Sequence, residues 1–121
     1  MTRLFAMILL TLSAMAHAAD IAPAENARIQ YLLASIETLT GAEFIRNGAA
    51  YDAQAAADHL RLKLRSAGSR VKTAEDFIVH CATQSSMSGE PYQIRFADGR
   101  VISSAAFLHQ KLVEFDANSG R

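Results

Sequence analysis

Apolar side chains along this chain recur at two periods, helical first and strand-like later. Ile29, Leu32, Leu33 and Ile36 repeat at helical spacing with Leu39 near the end, while Glu25, Arg28, Gln30 and Glu37 fall largely on the outer side. Ala22-Pro23 suits a first helical turn, so the spacing predicts a helix that begins there and stops at Gly41. Residues 43–51, EFIRNGAAY, break that period: Phe44 and Ile45 are followed by the turn signal Asn47-Gly48, which predicts a short extended piece and a turn. From Tyr51 or Asp52 to about Ser66 the stripe Ala53, Ala56, Ala57, Leu60, Leu64 predicts a second helix, ended near Gly68. Thr73 with Asp76 three residues on forms the [ST]-x-x-[DE] capping pattern, and Ala74, Phe77, Ile78, Cys81 and Ala82 then mark one buried face. A third helix from Thr73 to about Thr83 follows.

The hydroxyls of Ser85, Ser86 and Ser88 compete with the backbone ladder, and Gly89 and Pro91 disfavour a continuing helix. Tyr92, Ile94 and Phe96 then alternate with Gln93 and Arg95, and Ala97-Asp98-Gly99-Arg100 turns the chain into Val101-Ile102, a β-hairpin pattern. Ser103 or Ser104 caps a last helix whose apolar side is Phe107, Leu108, Leu112 and Phe115. The expected fold class is mostly α (α+β), with about four helices and a small antiparallel β-hairpin before the last one.

The N-terminus changes this picture. Met1, Thr2 and Arg3 precede an apolar run from Leu4 to Leu12 and then Ala16-His17-Ala18, a pattern that a signal peptidase accepts. The run is shorter than the roughly 20 residues that cross a bilayer, so a cleaved signal is expected over residues 1–18, with a single small domain over residues 19–121 and no transmembrane segment once the signal is removed. That implies an exported, periplasmic protein. Without Arg3 the charge is 11 basic against 12 acidic residues, a net −1, and no basic tract is present that would track a phosphate backbone, which disfavours nucleic acid as a partner. The one cysteine, Cys81, lies on the Phe77 and Ile78 stripe and reads as a buried, inert thiol; an intermolecular disulfide is the alternative.

Candidate chemistry is sparse. Ser85, Ser86 or Ser88 with His59 and Glu75 supplies the residue types of a nucleophile, its base and an orienting carboxylate. The serines lack a G-x-S-x-G turn, however, and bonding to backbone groups at a helix exit is the simpler reading. Ser69-Arg70-Val71-Lys72 matches S-x-x-K by chance, since the companion motifs are missing. His59, His80 and His109 show no metal-ligand spacing, and no cofactor is implied. His59 and Lys63 are one helical turn apart, so two charges there repel, which favours a neutral His59 unless Glu75, Asp76 or an anionic ligand lies between them. Arg46, Asn47 and Tyr51 can add donors at the same place.

The motifs FIRNG, HLRLKL, TAEDFI and SSMSGEPY, in that order, resemble the YfeK-like family of small secreted bacterial proteins of unknown function. The resemblance spans roughly Ala27 to Leu112 and includes Phe44, Arg46, Asn47, Gly48, Tyr51, His59, Leu60, Lys63, Thr73, Ala74, Glu75, Phe77, Ile78, Ser85, Ser86, Ser88, Gly89, Pro91 and Tyr92. It implies an exported protein of Gram-negative type and supplies no activity. The leading expectation is a non-enzymatic envelope domain that binds a small ligand or another envelope component through a polar surface of Arg46, Asn47, Tyr51, His59, Lys63, Glu75, Ser85, Ser86, Ser88 and Tyr92. A small serine-dependent hydrolase using His59 is the alternative, and an envelope protein whose apolar faces complete an oligomer is the third reading.

Overall fold

A computed structural model describes residues 21–120, so the expected signal over 1–18 lies outside the described residues. The element order is α1 (Pro23–Glu37), β1 (Glu43–Arg46), β2 (Ala49–Tyr51), α2 (Ala53–Ala67), α3 (Ala74–Phe77), β3 (Gln93–Arg95), β4 (Val101–Ser103) and α4 (Ser104–Asn118). The protein is α+β and mostly helical.

Local chemistry sets most boundaries. Pro23 opens α1, and Asp52 caps α2 by accepting from the Ala55 amide at 2.8 Å. Thr73 and Asp76 form a reciprocal capping box at α3, and Ser103 accepts from the Ala106 amide at 3.1 Å to start α4. Two helix ends differ from the sequence pattern. The first helix stops at Glu37, before Gly41, where the Thr38 hydroxyl donates to the Ala34 carbonyl at 2.7 Å. The third is α-helical only over Ala74–Phe77 and then widens into a π-helical turn, Ile78–Ala82, whose Ile78 carbonyl accepts the Thr83 hydroxyl at 2.7 Å.

Residues 43–51 form a full β-hairpin. Asn47 (φ 50°) and Gly48 (φ 76°) both take positive φ, as a two-residue turn matching the strand twist requires. The two hairpins join into one antiparallel sheet of order β2-β1-β3-β4, where the sequence pattern had indicated a single small hairpin. Register lines up Tyr51, Phe44, Ile94 and Ile102 across all four strands, and Phe44 and Ile94 are buried on the face turned to the helices.

The core combines Ile29, Leu32, Leu33 and Ile36 of α1 with Phe77, Ile78 and Cys81, Leu60 of α2, Ile94 of β3 and Phe107, Leu108 and Leu112 of α4. Cys81 is fully buried, and burial pushes its thiol above the ordinary value. Arg28, expected on the outer surface, instead ties three helices together. It binds Glu25 at 2.6 Å, Glu75 of α3 at 3.0 Å and Asp116 of α4 at 2.9 Å. No helix among the described residues is long and apolar enough to cross a membrane.

Candidate functional site

The alternation that buries Phe44 also aims Arg46, two residues on, at the helix-covered face, and Tyr92 stands two residues before Ile94 on that same face. Antiparallel pairing of Ile45 with Gln93 brings Arg46 and Tyr92 to one end of the sheet. Above that end, α2 presents His59 and Lys63 one turn apart.

The four side chains meet. An Arg46 guanidinium nitrogen lies 2.7 Å from His59 Nδ1 and 2.9 Å from Nε2, and its other terminal nitrogen donates to the Tyr51 hydroxyl at 3.1 Å. The guanidinium also sits over the Tyr51 ring, 4.8 Å from its centroid. Tyr92 Oη is 3.2 Å from His59 Nε2 and accepts from Lys63 Nζ at 3.0 Å, while the same ammonium donates to the Gln84 carbonyl at 3.0 Å.

A guanidinium nitrogen close to both ring nitrogens disfavours a second positive charge on His59. Burial first, then Arg46 and Lys63, hold the His59 pKa below its ordinary value. The unfolded chain therefore takes up this proton more readily than the folded one. His59 stabilises the fold at neutral pH, and that contribution is lost as the pH falls below about 6.5.

Beside this network lies a cavity of about 160 Å³ lined by Ile36, Phe44, Ala56 and Leu60 on its apolar side and by Arg46, Tyr51, His59, Tyr92 and Ser104 on its polar side. No acidic side chain lines it. Among the described residues neither Arg46 nor Lys63 makes an ion pair.

The neighbouring loop is held by its serines. Ser85 Oγ accepts from the amides of Met87 and Ser88 at 3.2 and 3.3 Å and from Asn47 Nδ2 at 3.2 Å. Ser88 donates to Asn47 Oδ1 and accepts from the Glu90 amide at 3.2 Å. Asn47 thus docks the loop onto the β1–β2 turn, beside the cationic cluster.

The family of unknown function DUF5329 matches residues 23–116. The chain belongs to this family. An uncharacterized protein of Salmonella typhimurium, YfeK, is 41% identical over 85 residues, which cover 70% of this chain and 68% of that protein. No solved structure matches the chain.

In this DUF5329 protein Arg46, Tyr51, His59, Lys63 and Tyr92 come together, and Asn47, Ser85 and Ser88 form the adjoining scaffold. Ser86 is an exposed residue of the same loop. Glu75 departs from the expected surface: it pairs with Arg28, whose guanidinium holds its carboxyl below the ordinary range. Asp76 is likewise engaged in capping α3, with the Lys72 and Thr73 amides as donors. The Ser, His and Glu set of the hydrolase reading is therefore not assembled. His59 contacts Arg46 and Tyr92, and Ser85 serves its own loop. The apolar face of α1, Ile29, Leu32, Leu33 and Ile36, is buried within the chain, whereas Leu62, Val79, Met87, Val101 and Val113 are exposed singly on other elements.

Sequence reasoning missed the cavity wall and Ser104. The small Ala55 and Ala56, facing the sheet end where Phe44 and Tyr51 lie, were the available signal for unfilled space.

Proposed function

We propose that the protein is an exported, non-enzymatic binding domain of the cell envelope, which takes a small ligand at the cavity between the β1–β2 hairpin and α2. The sequence supports export through the pattern at residues 4–18. Binding is supported above all by one observation: Arg46 and Lys63 converge on His59 and Tyr92, beside a concave apolar cavity, with no acidic residue lining it. Cations held by neutral partners alone retain attraction for an incoming anion.

The test is thermal unfolding, followed by circular dichroism, of the full chain with the small-molecule fraction of a Gram-negative envelope extract. A ligand present at about 100 times its Kd adds about 2.7 kcal/mol, which raises Tm by roughly 10 °C or more in a domain of this size. The double variant Arg46→Gln, Lys63→Gln should show no rise. A wild-type Tm indifferent to the extract, or an equal rise in both proteins, refutes the proposal.

A further inference from the structure

We infer that the cavity beside Arg46 takes a small monocarboxylate whose aromatic ring or short alkyl chain fills the apolar end while its carboxylate pairs with the Arg46 guanidinium. This rests on the binding reading above and names its ligand chemistry.

Size sets the apolar portion. A cavity of about 150 Å³ lined by aliphatic and aromatic side chains holds a benzene-sized group, and this one, of about 160 Å³, is walled by the buried Ile36, Phe44 and Leu60 and by Ala56. A six-carbon ring or chain fits it.

Charge sets the head group. Arg46 carries the lone formal charge among the lining side chains, and His59 is neutral beside it. The guanidinium is already oriented by the Tyr51 ring and hydroxyl and by His59, yet two partners leave part of its five N–H donors open. A planar fork fixed in advance matches the two oxygens of a carboxylate. A phosphate brings up to two negative charges and more acceptors than one guanidinium can satisfy here, since Lys63 lies outside the lining and is engaged with Tyr92 and Gln84. Ser104 also lines the cavity, 4% exposed, and places a hydroxyl on its polar side.

Calorimetric titration of the full chain with hexanoate, benzoate, 1-hexanol, benzyl alcohol and inorganic phosphate tests this. Each carboxylate should bind at least about tenfold more tightly than the alcohol of the same skeleton, and phosphate should bind more weakly than either carboxylate. Arg46→Gln should erase the preference, so that each carboxylate binds no more tightly than the alcohol of its skeleton. If Arg46→Gln binds nothing, Arg46→Lys decides: its preference should fall by about threefold or more, because an ammonium lacks the planar fork. Equal affinities for acid and alcohol, a preference that survives in the variants, or tighter phosphate binding overturns the carboxylate inference and leaves the cavity reading standing. Binding of none of the probes overturns the inference too, and the extract experiment then judges the binding reading independently.

Discussion

Phe77→Ala should lower the stability of the domain by about 3–5 kcal/mol, the cost of opening a cavity in a close-packed core. Phe77 has no exposed surface and is the residue at which α3, packed on α1, widens into the π-helical turn that packs on α2 and α4. Its ring is among the largest fully buried side chains, so neighbours on several elements lose contacts at once. Total stability for a domain of this length is about 5–15 kcal/mol, so the variant stands near the limit of folding at 37 °C. Urea unfolding checks this. The midpoint should fall steeply with the slope unchanged, whereas a loss under about 1 kcal/mol means that the ring does not fill the core as described.

Arg28→Met should cost about 2 kcal/mol, the second largest effect. The methionine keeps much of the aliphatic stem but removes a guanidinium bonded to Glu25, Glu75 and Asp116, leaving carboxylates from α1, α3 and α4 facing one another. Glu75 and Asp116 are about half exposed, so water limits the effect and added salt should shrink it. The pH dependence follows from Glu75. Its folded pKa is held low by Arg28, so the stabilisation is present above its unfolded value near 4.5 and is lost as pH falls through the lowered folded value. Thermal melts of both proteins should therefore differ by roughly 10 °C at pH 7 in low salt and converge in acid. A constant gap from pH 7 to pH 3 contradicts this origin.

Most helices were legible because their signals are local. The capping box of Thr73 and Asp76, the Asp52 and Ser103 caps and the Asn47-Gly48 turn each act over three or four residues. What the sequence did not disclose depends on distant partners. β1 and β3 are three or four residues long, and their pairing joins Phe44 to Ile94 across 50 positions, so no short pattern marks it. The widening at Ile78 was hidden for another reason: the same apolar stripe serves an α-helix or a π-helical turn.

The candidate site divides along the same line. The proximity of Arg46, Tyr51, His59 and Lys63 was legible because turn and helix spacing place them near one another, and His59 and Lys63 need only one helical turn. Glu75 was misplaced because its partner, Arg28, comes from 47 residues away on a face that α1 turns toward α3 and α4. The cavity was invisible because empty space has no residue type; it is defined by what Ala55 and Ala56 fail to fill opposite Phe44 and Tyr51.

Whether His59 belongs to a cationic binding face or to a reaction centre is decided by its titration. In a proton NMR pH titration of the full chain, the His59 Cε1–H signal is assigned by its absence from His59→Gln. Burial and the flanking Arg46 and Lys63 require a midpoint below the ordinary value of about 6.5. A midpoint at or above that value, as a carboxylate partner orienting a catalytic imidazole produces, would contradict the account.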